Sequence, residues 1–214
     1  MRKVVAGLCL MAGIAASSVA GATVLNGTIA NFDADADGIA DDLNIARITF
    51  NVSAGTQVFF DVLARESTGV DLNGDGLITG FDSYLMLFDA RGNTLTIGDD
   101  WMAPTPDGSV DFFDSAIRWT FAEAGTYMIT LGQGTYFQDE ALQGYEANRP
   151  YDAFIGNQNF GAWRLTMTAT GGTLSDVVQD GVPVSQVPEP GSLLLLGAGL
   201  AGVAAARRKR AARL

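Results

Sequence analysis

Apolar residues return at every second position in stretch after stretch of the middle of this chain. Ile117, Trp119 and Phe121 alternate within Ala116 to Phe121, and Tyr127, Ile129 and Leu131 within Thr126 to Leu131. Trp163, Leu165, Met167 and Ala169 do so from Ala162 to Thr170, and Val58, Phe60 and Val62 line one face of Gln57 to Ala64. Ile45 to Val52 adds Ile45, Ile48, Phe50 and Val52, and Ser83 to Phe88 is a short apolar run. A period of two sets one face of a strand on a core and the other toward water. Gly and Asn/Asp punctuate these runs at the intervals of an all-β chain, and no long helical period interrupts them. The pattern predicts an all-β fold, an antiparallel β-sandwich of two sheets in one domain over residues 23–172. Residues 173–187 read as a last short strand or an extended linker.

The ends of the chain follow a different logic. Arg2 and Lys3 precede an apolar run from Val4 to Ala16, and small residues follow, with Ser18-Val19-Ala20 and Ala20-Gly21-Ala22 both fitting a small-x-small cleavage site. That order reads as a secretory signal over residues 1–22, too short for a span of ~20 apolar residues. The single cysteine, Cys9, lies inside it, so the exported chain is expected to contain no disulfide. At the other end, Val187-Pro188-Glu189-Pro190-Gly191 leads into an apolar or small-residue run from Ser192 to Ala206. Arg207, Arg208, Lys209, Arg210 and Arg213 close the chain. A run of this length is at the lower limit of a membrane helix, and the basic cluster after it is expected to stay cytoplasmic.

Val187-Pro188-Glu189-Pro190-Gly191, a short apolar stretch and Arg207-Arg208-Lys209-Arg210 together resemble the PEP-CTERM sorting signal of Gram-negative bacteria, here over residues 188–214 with the motif beginning at Val187. The resemblance implies recognition by an exosortase and cleavage near the Pro-Glu-Pro motif. It further implies a transient inner-membrane anchor, followed by transfer to the cell surface or extracellular matrix. Hosts of such proteins make exopolysaccharide, which makes exopolysaccharide a partner to consider.

From Asp33 to Glu189 the chain carries six arginines, no lysine and all 24 acidic residues, a net charge of about −18. Such a surface repels nucleic acid and anionic membranes and suits cations. The chain has no histidine, which excludes histidine triads and histidine acid/base chemistry. Without lysine in the body there is no Ser-Lys dyad or Schiff base, and no cysteine nucleophile survives export. The expectation is a protein that is not an enzyme. A carboxylate-pair hydrolase is the one catalytic reading left, and no spacing singles out a pair.

Two acidic loops carry the most chemical content. Asp71-Leu72-Asn73-Gly74-Asp75-Gly76-Leu77-Ile78-Thr79-Gly80-Phe81-Asp82 sets Asp71, Asn73 and Asp75 at positions 1, 3 and 5 of a twelve-residue loop. Gly76 stands at the sharp turn of position 6. Leu77 offers a carbonyl at 7, Thr79 a hydroxyl or water at 9, and Asp82 a carboxylate at 12. That is the spacing of a calcium loop, and Ile78 is expected to anchor it to the core. An Asp rather than a Glu at position 12 resembles dockerin-type loops. Asp33, Asp35, Asp37, Gly38 and Asp41 repeat positions 1, 3, 5, 6 and 9, with Asn44 at 12, a spacing that resembles thrombospondin type 3 loops. Five carboxylates within ten residues repel one another, which favours a counter-ion. Calcium is therefore the expected structural cofactor. Ordinary Asp-Gly turns on an acidic surface are the simpler alternative.

A second resemblance lies in the body. Asp82-Ser83-Tyr84-Leu85-Met86-Leu87-Phe88-Asp89, with Gly92-Asn93, Asp99-Asp100 and Ala124-Gly125-Thr126-Tyr127, is similar to bacterial pre-peptidase C-terminal domains across about residues 43–132. It implies a jelly-roll-like sandwich that serves as an accessory module, some relatives of which bind calcium. Asp99 is a further acid that could join Asp82 or Asp89 if their loops meet. Trp101, Trp119, Trp163 and Tyr136 are candidates for a sugar platform, the basis of an alternative reading as a carbohydrate-binding module, although Trp119 and Trp163 lie in phase with the core.

Overall fold

The computed structural model describes residues 22–66, 70–101, 104–105, 108–109, 112–149 and 161–184. The signal segment, the sorting motif Val187 to Pro190, the apolar tail and Arg207 to Arg210 lie outside the described residues. Among the described residues, no helix is long and apolar enough to cross a membrane.

In chain order the strands are β1 (Ala22–Ile29), β2 (Asn31–Phe32), β3 (Asp42–Asn44), β4 (Ala46–Val52), β5 (Gln57–Leu63), β6 (Ser83–Phe88) and β7 (Thr94–Gly98). They continue with β8 (Ala116–Thr120), β9 (Gly125–Gln133), helix α1 (Gln138–Gln143), β10 (Tyr145–Glu146), β11 (Gly161–Thr170), β12 (Leu174–Gln179) and β13 (Val182–Pro183). One sheet runs β1-β11-β5-β8, a second β13-β12-β4-β9-β6-β7, and a small third β10-β3-β2. All pairings are antiparallel. Among the long strands, every connection except the β6–β7 hairpin crosses from one large sheet to the other, the wrapped connectivity of a jelly roll.

The six alternating or apolar stretches are β4, β5, β6, β8, β9 and β11. Their inward residues meet between the two large sheets. Phe60, Val62, Leu165 and Met167 come from one sheet and Ile48, Phe50, Leu85, Leu87, Ile129 and Leu131 from the other, in a single cluster closed to solvent. Phe50 is its aromatic hub, with ring centroids 5.5 Å from Phe60 and 5.9 Å from Phe121. β5 is buried on both faces because Trp101 lies over the outer ring of Phe59 at 5.6 Å, with the Arg118 guanidinium 4.4 Å from that ring. On the outer face of the six-stranded sheet, Tyr84, Met86 and Phe88 form a second cluster with Tyr136 and Ala141 beneath α1. Gly27 has no room for a side chain: a Cβ there would stand 2.3 Å from the Trp163 ring.

The described part of the segment after residue 172, residues 173–184, is strand and turn. β12 pairs with β4, and β12 and β13 form a hairpin across Asp180-Gly181. Asp180 at φ 48 and Gly181 at φ 82 supply the two left-handed residues that a tight two-residue hairpin turn requires.

Strand registers give the sandwich two unlike ends. Ile29 lies opposite Gly161, Leu63 opposite Arg164, Ala46 opposite Leu131, Ser83 opposite Gln133, and Gly98 opposite Leu85. The long connections that contain residues 33–41, 64–82, 99–115 and 134–149 therefore all emerge at one end. The short turns at 53–56, 89–93, 121–124 and 171–173 occupy the other.

Candidate metal centre

Both acidic loops sit on the long-loop end, and they fold by the same hydrogen-bond scheme. In the second loop, Asp71 Oδ2 accepts the N–H of Gly76 at 2.8 Å, Asn73 Oδ1 that of Asp75 at 3.2 Å, and Asp75 Oδ1 that of Leu77 at 2.7 Å. In the first, Asp33 Oδ2 accepts from Gly38 at 3.1 Å, Asp35 Oδ1 from Asp37 at 3.2 Å, and Asp37 Oδ1 from Ile39 at 2.8 Å. Position 1 bonds position 6, 3 bonds 5, and 5 bonds 7 in each. The backbone agrees. Positions 4 and 6 are left-handed in both, as Ala36 (φ 62) and Gly38 (φ 91), and as Gly74 (φ 76) and Gly76 (φ 80). Gly supplies that conformation without strain, whereas Ala36 adopts it at a cost. Side chains of Asp, Asn and Gly dictate this geometry locally, which is why the spacing was readable.

Each loop is pinned by a buried carboxylate that the spacing does not mark as an anchor. Asp42 accepts the N–H groups of Ala34 at 2.6 Å and Asp35 at 3.2 Å at the base of the first loop, and that of Asn148 at 2.9 Å. Those backbone donors, Asn148 foremost, hold its carboxyl below the usual range. Glu66, 2% exposed, accepts from Leu72 N–H at 2.6 Å, and from the Thr79 N–H at 2.8 Å and hydroxyl at 2.9 Å. No local signal distinguishes Asp42 from its acidic neighbours or Glu66 from a surface glutamate.

The remaining candidate ligands are placed differently from one another. Among the described residues, Asp33, Asp35 and Asp37 bring carboxylate oxygens within 4.8 Å of one another, as do Asp82, Asp99 and Asp100. Asp82 thus joins the acids after β7, the meeting of loops that Asp99 offered, and closes no triplet with Asp71 and Asp75. Thr79 is buried and its hydroxyl is given to Glu66. Asn44 uses its amide within the fold, accepting from Ala30 N–H at 2.6 Å and donating to the Thr28 carbonyl at 3.0 Å. Ile78 does not anchor its loop: it is 53% exposed, and the buried Phe81 fills the core instead, because the turn at Gly76 leaves residues 77 and 78 on the rim. Leu77 is also exposed. Asp41 has its carboxyl raised, first by desolvation and then by the charges of Asp37, Asp42 and Asp35. Asp71 is held low, chiefly by the Gly76 N–H. The donor set is carboxylate and amide oxygen throughout, which fits a hard divalent cation.

The aromatic residues considered for a sugar platform do not share an exposed surface. Trp163 and Tyr136 are buried in the two clusters, Trp119 packs against the main core, and Trp101 lies on Phe59.

Fold and loops together define an antiparallel β-sandwich with one acidic pole. The C-terminal residues 186–210 match the PEP-CTERM protein-sorting motif, which implies an exported protein with a transient C-terminal anchor and exosortase processing. No curated protein matches the chain. Among solved structures, the pre-peptidase C-terminal domain of collagenase from Bacillus anthracis is similar at 14% identity and a TM-score of 0.34, covering 69% of this chain and 89% of that one. PliG, a periplasmic lysozyme inhibitor of g-type lysozyme from Aeromonas hydrophila, is similar at 12% identity and a TM-score of 0.33, covering 71% of this chain and 88% of its own.

Proposed function

We propose that this is a non-catalytic surface or matrix protein, released from its tail by an exosortase, whose disulfide-free sandwich is stabilised by calcium at the acidic pole. The observation that carries the calcium reading is the shared scheme of the two loops. Two segments of unrelated flanking sequence adopt the same three side-chain-to-backbone bonds and the same left-handed positions. Asp33, Asp35, Asp37 and Asp41 would hold one ion; Asp71, Asn73 and Asp75, with the Leu77 carbonyl, would hold another. Asp82 would belong to a third acidic group with Asp99 and Asp100. A bound ion would offset the desolvation and the neighbouring charges that raise Asp41, and would stabilise the folded state by mass action. The buried carboxylates of Asp42, Glu66 and Asp114 are occupied by backbone N–H groups, which supports a structural rather than catalytic use.

The test is thermal unfolding of the full-length chain with excess Ca²⁺ and with chelator. A rise of several degrees in calcium, reduced in Asp71→Ala and in Asp33→Ala, is the expected result. Identical curves in calcium and chelator would reduce both loops to acidic turns.

A further inference from the structure

The chain from Tyr145 to Arg149 is fastened to the long-loop end by a small set of contacts. Tyr145 and Glu146 ladder onto Asn44 and Leu43. The Asn148 N–H donates to Asp42 Oδ1 at 2.9 Å, and Asn148 itself holds φ 54. The Arg149 carbonyl accepts from Asn31 Nδ2 at 3.2 Å. The Arg149 Nη1 donates to the Thr135 carbonyl at 3.1 Å and to Glu146 Oε2. Asp42 is thus shared, holding this segment with one oxygen and the base of the Asp33–Asp41 loop with the other.

Glu146 is the weak point of the arrangement. It is 2% exposed, and while Oε2 receives Arg149, Oε1 is buried with no hydrogen-bond partner among the described residues. Among the described residues, the charged groups facing it are Arg149 from its own segment and Glu140 from α1, and the Tyr136 phenol lies beside it. One cation on one oxygen does not replace the hydration of a whole carboxylate. A proton on Oε1 removes the buried charge and still leaves Oε2 to accept from Arg149. Desolvation pushes the carboxyl up to about 7, against the pull of Arg149 and with a push from Glu140.

We propose that Glu146 and Arg149 form a pH-sensitive clasp, tight when Glu146 is protonated and loosened when it is ionised, that governs through Asp42 how firmly the Asp33–Asp41 loop is held. The proton is bound more strongly in the clasped state than in an opened, hydrated one. Opening therefore grows as pH rises from the ordinary glutamate value toward about 7, and levels off above it. This goes beyond the calcium reading and needs no bound cation.

Hydrogen exchange of the full-length chain, with chelator present from about pH 5 to about pH 8 and rates corrected for intrinsic exchange, tests it. Amides of residues 145–149, with Ala34 and Asp35, should lose protection by up to about tenfold per pH unit below the plateau. The amides of β5 and β11 should not follow. Glu146→Gln should abolish the slope, and Arg149→Gln, which removes the opposing cation, should move it to higher pH. Protection that is constant with pH in the parent chain overturns the clasp, as does a slope that survives in Glu146→Gln. If Glu146→Gln does not fold, an Arg149→Gln transition that fails to move upward overturns it equally.

Discussion

Asp42 Oδ1 accepts the backbone N–H of Asn148 at 2.9 Å, joining residues 106 apart in the chain. The same carboxylate accepts from Ala34 and Asp35. Asp42→Ala should lower the melting temperature by several degrees and speed exchange at both Ala34 and Asn148, because one deletion strands three backbone donors. The folded carboxyl is held low, so its contribution is present above the ordinary Asp range and is lost as pH falls through the lowered value. Acid titration of the parent and Asp42→Asn proteins checks the sign: the variant should lose less stability on acidification.

Ala36 holds φ 62 where the matching position of the second loop is Gly74. Ala36→Gly should stabilise the chain by about 0.5–1 kcal/mol, since the native left-handed conformation costs a glycine nothing. Gly76→Ala, at φ 80, should destabilise by about 1 kcal/mol and weaken any calcium response. Denaturant unfolding with and without Ca²⁺ measures both. A destabilised Ala36→Gly would show that the strain at Ala36 is relieved by contacts not apparent in the loop.

Glu66 fixes the second loop through Leu72 and Thr79. Glu66→Gln keeps the shape but replaces one acceptor with a donor facing an N–H, so it should cost roughly 1–3 kcal/mol. Exchange should accelerate at Thr79 while the Ala34 and Asp35 amides stay protected, which separates the two loops.

Gly27 lies against Trp163, which is 1% exposed and cannot swing aside. Gly27→Ala should destabilise by about 1–3 kcal/mol through overpacking, read from the unfolding midpoint. A near-neutral result would mean that the β1 edge can shift away from β11.

How much of this was legible follows from which forces are local. Six strands were visible because a period of two is written into the backbone of each strand, independent of its partners. β1 and β7 escaped notice because their inward positions are few, and residues 173–187 offered only a last short strand or a linker, not the β12–β13 hairpin. The Asp180-Gly181 dipeptide between valine-rich segments was the available signal for the hairpin. Helix α1 is only six residues, too short to show a helical period. It forms because Glu140 reaches back to the Phe137 N–H at 2.6 Å, Gly144 closes it at φ 97, and Ala141 is buried under it.

The sequence by itself determined the class of fold, the sorting motif at the C-terminus and the turn geometry of both acidic loops. Alternation, apolar length and Asp/Gly spacing act over a few neighbouring residues. Tertiary structure alone decided that the long loops gather at one end, that Asp82 meets Asp99 and Asp100, and that Asp42 and Glu66 are anchors. It also decided that Glu146 is enclosed beside Arg149, and that Trp163 and Tyr136 are core residues. Those outcomes depend on strand order and register, which bring together groups that no local spacing relates.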